Sequence, residues 1–140
     1  MASIPKSIQP HINSAFPAHV CLVGSVLPDG FAQISPRGSV QVHDDDHISL
    51  WERGRGSTTA NLKQGSKVTV YYQNFDLYSE GLAFARFYGA VTGVHKSGPV
   101  YDNVWERLIQ PEKDRDPDKG GFAVMIKIER AENLMGEPLK

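Results

Sequence analysis

Residues 51–65, with the sequence WERGRGSTTANLKQG, bring together several groups that bind anions. Arg53 and Arg55 carry planar guanidinium groups, whose N–H donors match the oxygens of a phosphate. Hydroxyl side chains that could cap a helix follow at Ser57, Thr58 and Thr59. The first turn of a helix also presents free N–H groups and the positive end of the helix dipole. The segment therefore predicts a phosphate site at the start of a helix over residues 57–64.

The same segment has a simpler interpretation, in which solvated arginines precede an ordinary capped helix. It is not a Walker A loop, because no Gly-Lys-Ser/Thr follows and no parallel βαβ unit surrounds it. Two other features favour a ligand. A Ser-Pro-Arg-Gly element at residues 35–38 interrupts a strand, as expected where backbone groups face a polar ligand. Arg86 lies in an apolar strand and needs a partner, either an anionic ligand or a structural carboxylate such as Glu80 or Asp76.

The elements that must position these residues follow from the hydrophobic pattern. Short strands are predicted at residues 18–27, 31–35, 39–42, 47–51, 67–74, 83–95 and 122–134. Helices are predicted at residues 7–15, 57–64 and 99–110, turns at 28–30 and 43–46, and loops at 75–81 and 111–121. Tight turns between strands imply antiparallel pairing, and so many short strands in a small chain favour a closed sheet. We therefore expect a mainly β fold, a small antiparallel β-barrel of six or seven strands with two or three peripheral helices.

Length and charge limit the classes of function. A chain of 140 residues suits a single domain over 1–140 with one core. The net charge of −1 gives no field that would attract nucleic acid or a membrane surface. The N-terminal sequence lacks a signal peptide, and no apolar run has the length of a membrane span. Cys21, the single cysteine, lies in an apolar run and is expected to be a buried thiol. We expect a cytoplasmic protein.

Residues 43–47, with the sequence HDDDH, have side chains that bind metal ions. The same residues are typical of a hairpin turn between two alternating strands, where Asp needs no metal. We favour the turn and expect no metal site. The other histidines are scattered along the sequence, and their spacing indicates no catalytic triad or Cys/His pair.

The segment AQISPRGSVQVHDDDHISLWERGRGSTTANLKQGSKVTVYY, followed by ARFYGAV, resembles the pyridoxamine 5′-phosphate oxidase-like family, the FMN-binding split barrels. The elements come in the family's order: a hairpin, Ser-Pro-basic-Gly, an acidic turn, an aromatic strand end, a small polar loop, a helix, and a strand with Arg-x-x-Gly. The similarity covers about residues 16–93, and residues 122–130 fit the last strand.

The resemblance implies a split β-barrel that binds FMN at the subunit interface of a homodimer. It implies that the isoalloxazine and ribityl region is lined by Ile34, Ser35, Pro36 and Arg37. The residues along the ribityl chain toward the phosphate would be Trp51, Glu52 and Arg53. The phosphate would be held by Arg55, Ser57, Thr58 and Thr59, with Arg86 reaching the phosphate or the ribityl hydroxyls. The implied activity is that of an FMN-dependent oxidoreductase with a reduced nicotinamide as electron donor.

The sequence departs from the true oxidases at three places. Ser57 and Thr58 stand where those enzymes carry an Arg-Lys pair. Those enzymes also carry a Tyr and, four residues later, an Arg in a helix that binds pyridoxine phosphate, whereas this chain has Tyr101 and Trp105 at that spacing. Their C-terminal Trp and Arg segment has no counterpart after Leu134. We therefore expect a small substrate other than pyridoxine phosphate. A non-catalytic flavin-binding module for storage or sensing, a split barrel using F420 or haem, and a barrel without a cofactor remain alternatives.

Overall fold

The computed structural model describes residues 3–13, 16–18, 20–53 and 62–139. The described strands form one antiparallel sheet in the order β2-β1-β5-β6-β7-β4-β3. This sheet curls into a half-barrel, which confirms the predicted mainly β split barrel. The strands are β1 (Leu22–Val26), β2 (Ala32–Pro36), β3 (Gln41–Val42), β4 (His47–Glu52), β5 (Lys67–Gln73), β6 (Phe84–His95) and β7 (Phe122–Glu132).

Side-chain alternation sets the two faces of the sheet. In β5, Val68, Val70 and Tyr72 are buried, and the residues between them are more exposed. Ala85 and Phe87 of the neighbouring β6 are fully buried in the same core cluster. Because successive residues of a strand point to opposite faces, this pattern leaves the other face of β5 and β6 uncovered within the described chain.

Strand β4 is buried on both faces. Ile48 and Leu50 join the main core, whereas Trp51 packs beneath helix α1 (Pro99–Arg107) in a second cluster with Val104 and Leu108. The helix was predicted over residues 99–110, but it ends at Arg107 because Leu108 has extended backbone. The sandwiched position holds the end of β4, from which the predicted phosphate segment departs.

Several short helical segments differ from the predictions. Of the described residues in the predicted helix at 7–15, Gln9–His11 alone are helical, and they form a 3-10 helix. The predicted loops at 75–81 and 111–121 contain a 3-10 helix at Phe75–Glu80 and a short helix α2 at Gln110–Asp114. Each segment is too short to show helical periodicity. The 3-10 helix at Phe75–Glu80 begins instead at a cap, because the Asn74 side chain accepts a hydrogen bond from the Asp76 N–H.

The Asn13 side chain binds the connection between the two edge strands, β2 and β3. The Asn13 amide donates to the carbonyl oxygens of Arg37, Gly38 and Val40, and its oxygen accepts from the Cys21 N–H.

Residues 57–61 of the predicted helix lie outside the described residues, and residues 62–64 are not helical. Gly65 has φ of +92°, the left-handed conformation predicted at this position.

Cys21 is buried, as predicted, and burial raises the pKa of its thiol to about 12. The thiolate is the form that reacts with alkylating reagents. We therefore expect iodoacetamide to modify Cys21 at least about a hundredfold more slowly in the native protein than in urea. Mass spectrometry of timed samples measures both rates, and similar rates in the two conditions would contradict the buried position.

Candidate functional site

The uncovered face of the sheet carries an open groove of about 680 Å³, formed by strands β1, β2, β5, β6 and β7. Two residues that the family resemblance implies for flavin contact, Ile34 and Arg86, line this groove although they come from separate parts of the sequence. The groove has an apolar side, which contains Leu22, Val26, Ala32 and Ile34, and a polar side, which contains Lys67, Tyr71, Arg86, Tyr88, Glu129 and Arg130. We call this cavity the outer groove.

Gly24 lies on the floor of the outer groove, between Ile34 of β2 and Thr69 of β5 in the sheet register. A Cβ atom added at Gly24 would meet no neighbouring heavy atom closer than 3.8 Å. The floor at this position therefore has no side chain, although the backbone has room for one. Such a floor can carry a flat ring.

On the polar side, Arg86 is bound to a carboxylate of its own chain. Its Nη1 donates to Glu132 Oε1 at 3.0 Å, and its Nη2 donates to the Leu134 carbonyl at 3.1 Å. The Tyr88 hydroxyl donates to the same Glu132 oxygen at 2.6 Å, and this bond, together with Arg86, lowers the pKa of Glu132. The sequence left two partners open for Arg86, an anionic ligand or a structural carboxylate such as Glu80 or Asp76, and the carboxylate that Arg86 contacts in the structure is Glu132.

Two further cations face the groove. Lys67 is paired with Glu129 at 3.1 Å. The guanidinium of Arg130 lies over the ring of Tyr88, with 4.3 Å between its Cζ and the ring centroid. Tyr88 and Arg130 face each other in the register of β6 and β7. Arg130 was not predicted from the sequence, and Tyr88 was predicted only as one of several aromatic residues of the core, the dimer interface or a ligand contact. Tyr88 lies two positions after Arg86 and therefore on the same face of β6.

A second group of predicted residues meets at the closure of the barrel. Arg37 Nη2 lies 2.5 Å from Glu52 Oε2, and both side chains are largely buried. Trp51 Nε1 donates to Asp116 Oδ2 at 2.8 Å. Partial burial favours a raised pKa for Asp116, but hydrogen bonds from Trp51 and from backbone N–H groups, with the charge of Arg53, lower the pKa below its ordinary value.

The structure thus divides the implied site residues into groups. Ile34 and Arg86 lie at the outer groove, and Arg37, Trp51, Glu52 and Arg53 lie at the barrel closure. Ser35, which is half-buried, and Pro36, which is exposed, connect the two places along β2. The phosphate residues Arg55, Ser57, Thr58 and Thr59 lie outside the described residues.

Residues 43–46 form the predicted turn between β3 and β4, and His47 is the first residue of β4. Asp44 pairs with His47 at 2.8 Å and Asp45 pairs with Lys6 at 2.6 Å, while Asp46 accepts the Ser3 N–H. Among the described residues, no group of three or more His, Cys, Asp or Glu side chains could hold a metal ion. Within the same part of the chain, no helix is long and apolar enough to cross a membrane.

Comparison with models of protein families gives no match, and comparison with curated proteins gives none. Solved structures, in contrast, match along nearly the whole chain. HupZ of Group A Streptococcus is 22% identical with a TM-score of 0.73, covering 98% of this chain and 99% of that one. A protein of Lactobacillus delbrueckii, provisionally described as a pyridoxamine 5′-phosphate oxidase, is 21% identical with a TM-score of 0.66, covering 94% and 95%.

A third solved structure is an FMN-binding protein of Syntrophomonas wolfei, 18% identical with a TM-score of 0.67, covering 95% of this chain and 86% of that one. Sequence identities this low establish the fold and not the ligand. The matched length and the sheet order agree with the ordered motifs of residues 16–93. The chain therefore has the split-barrel fold of the pyridoxamine 5′-phosphate oxidase-like proteins.

Proposed function

We propose that the protein is an FMN-binding oxidoreductase of the pyridoxamine 5′-phosphate oxidase-like type, which acts as a homodimer. The observation that carries this proposal is the outer groove, where Ile34 and Arg86 line one cavity. Its volume of about 680 Å³ lies within the range of small-molecule and cofactor pockets. A solved FMN-binding protein with the same fold supports FMN as the ligand.

The residues of the groove fit a flavin. The open floor at Gly24 accepts a flat ring system, and the apolar side offers Ile34 and Ala32 for contact with it. FMN supplies the redox chemistry, while the protein binds and orients it. Because Glu132 already balances the charge of Arg86, the flavin phosphate needs other cations. Arg53 and Arg55, with the N–H groups of residues 57–59, would supply that site.

The dimer is supported by apolar side chains that remain exposed at the edge of the outer groove. Val26, Phe31 and Ile34 have 62%, 72% and 65% of their surface exposed. Exposed apolar side chains grouped in this way mark an interaction surface. A second copy of the chain covering this face would enclose the flavin between two subunits.

In the true oxidases, side chains of the helix corresponding to α1 bind pyridoxine phosphate, whereas here the side chains at the same positions contact other residues of the chain. The Tyr101 hydroxyl donates to the Lys119 carbonyl at 2.8 Å, and Trp105 packs on Trp51 with 5.0 Å between ring centroids. Lys119 also lies over the Tyr101 and Trp105 rings. These contacts support a small substrate other than pyridoxine phosphate.

Absorption spectroscopy with gel filtration tests the proposal. After incubation with FMN, the purified protein should show oxidised flavin bands that co-elute with a dimer. Anaerobic addition of NADH or NADPH should then bleach the flavin. A yellow dimer that neither donor bleaches would indicate the storage or sensing module, and a protein that binds F420 or haem but no FMN would overturn the choice of cofactor. A colourless monomer with all three ligands would refute the proposal.

The implied phosphate segment gives a second test within this proposal. Arg55→Gln should weaken FMN affinity about tenfold or more, because a charge-assisted hydrogen bond to the phosphate is lost. Riboflavin, which lacks the phosphate, should bind both proteins equally. Lys63→Gln, a charge removal at an exposed position of the same connection, is the matched control. Titration of flavin fluorescence measures both ligands, and an equal loss for FMN and riboflavin would contradict the assignment.

A further inference from the structure

The charges of the outer groove do not cancel. Three cations face it, Lys67, Arg86 and Arg130. Glu129 pairs with the first of them and Glu132 with the second. Among the residues that the structure describes, no carboxylate lies within salt-bridge distance of Arg130. The polar side of the groove therefore carries one cation more than the neighbouring carboxylates balance.

The position of Arg130 is held by its own sheet. Its guanidinium lies over the Tyr88 ring, and Tyr88 is in turn fixed by the hydrogen bond from its hydroxyl to Glu132. A guanidinium over the face of an aromatic ring is attracted to the ring, and the N–H groups that do not contact the ring can donate to a ligand. The side chain is thus pre-arranged to donate hydrogen bonds, which reduces the entropy lost when a ligand binds.

Glu132 acts on Arg130 through its charge but makes no hydrogen bond to it within the described residues: Arg130 contributes to the lowered pKa of Glu132, whereas the Oε1 atom of Glu132 accepts hydrogen bonds from Arg86 and Tyr88. The lowered pKa keeps Glu132 ionised, so that it holds Arg86 and Tyr88 in place at neutral pH. An anion that enters the groove can therefore bind at Arg130 without displacing the pair of Arg86 and Glu132.

We infer that Arg130, which lies over the Tyr88 ring, is the anion-binding residue of the outer groove, and that the groove binds a flat, largely apolar molecule with one phosphate, sulfonate or carboxylate group. The apolar side and the open floor at Gly24 would contact the flat part, and Arg130 would bind the anion. The identity of that molecule rests on the proposed function: if Arg53 and Arg55 hold the FMN phosphate as proposed above, the anion at Arg130 is an acidic group of a second ligand, and if they do not, it is the phosphate of FMN.

A pair of fluorescent probes tests the anion site without relying on a flavin. Anilinonaphthalene sulfonate is flat, apolar and anionic, whereas Nile red is flat, apolar and neutral. Arg130→Gln should weaken binding of the sulfonate about tenfold to a hundredfold, because a charge-assisted hydrogen bond is lost. Nile red should bind with unchanged affinity. Arg130→Lys should give an intermediate loss of affinity, since Lys keeps the charge but lacks the planar set of N–H donors of the guanidinium.

Lys127→Gln provides the matched control, because Lys127 is an exposed cation of the same strand that does not line the groove. It should leave the affinity of both probes unchanged. Gly24→Val should weaken both probes together, since it fills the floor. No binding of the sulfonate to the wild type, equal losses for Arg130→Gln and Lys127→Gln, or an equal loss of Nile red would each overturn the inference.

Flavin titration then distinguishes the two sources of the anion. If Arg130→Gln weakens the binding of FMN but not of riboflavin, the anion at Arg130 is the flavin phosphate. The size of this loss can then be compared directly with the loss in Arg55→Gln. Unchanged affinities for both flavins, with the sulfonate lost, identify a second acidic ligand. A wild type that binds the sulfonate at Arg130 but binds no flavin refutes the proposed function and leaves the anion site standing.

Discussion

Replacing Arg37 by Ala should lower the free energy of unfolding by about 3 kcal/mol, because Glu52 would lose a charged partner inside the protein. Only 1% of the Glu52 surface is exposed, so that water cannot replace the lost guanidinium. Urea denaturation at neutral pH, followed by far-UV circular dichroism, measures the change through the midpoint and slope of the transition.

The loss should depend on the charge of Glu52. In the double variant Arg37→Met with Glu52→Gln, neither member of the pair carries a charge, and the protein should recover at least about 1 kcal/mol relative to Arg37→Ala. The control is Lys6→Ala, which removes an exposed ion pair with Asp45 and should cost less than about 1 kcal/mol. An Arg37→Ala variant as stable as the Lys6→Ala variant would show that the buried pair does not hold the barrel closed.

The sequence predicts the strands and the location of part of the site for a clear physical reason. Alternation of apolar and polar residues depends only on local spacing, and it identified β5, β6 and β7 nearly to their ends. The Ser-Pro-Arg-Gly element was explained by a ligand, but Pro36 is also tolerated because β2 pairs only with β1 in the described sheet.

The partners of the charged residues could not be predicted, because they depend on strand register and on the curl of the sheet. Arg86 of β6 is opposite Glu132 of β7. A bulge at Tyr88 and Gly89 shifts the pairing of these two strands, and this shift fixes the register of Arg86 and Glu132. Arg37 and Glu52 meet only because the sheet curls until the ends of β2 and β4 approach. Local spacing carries neither piece of information.

The bulge itself depends on Gly89, and Gly89→Ala should destabilise the protein by about 3 kcal/mol, at the upper end of the usual cost of overpacking. A Cβ atom at Gly89 would overlap the carbonyl oxygen of Lys127 and lie 2.9 Å from Cγ2 of Ile126. The overlapped atom belongs to the backbone of β7, which cannot rotate away as a side chain can. The register shift between Tyr88 and Gly89 lies at this close approach, so that relief requires β6 and β7 to separate.

Gly24→Ala is the matched control, because it adds the same methyl group to a strand glycine whose Cβ would have no neighbour closer than 3.8 Å. It should change the free energy of unfolding by less than about 1 kcal/mol, since the folded protein has room for the methyl group and the unfolded chain becomes less flexible. Thermal and urea denaturation of the two variants measure the difference. Equal effects at both glycines would mean that the close approach of Gly89 to β7 does not cause the loss. A loss confined to Gly89 would mean that the close approach of β7 sets the register that places Arg86 opposite Glu132 and Tyr88 opposite Arg130.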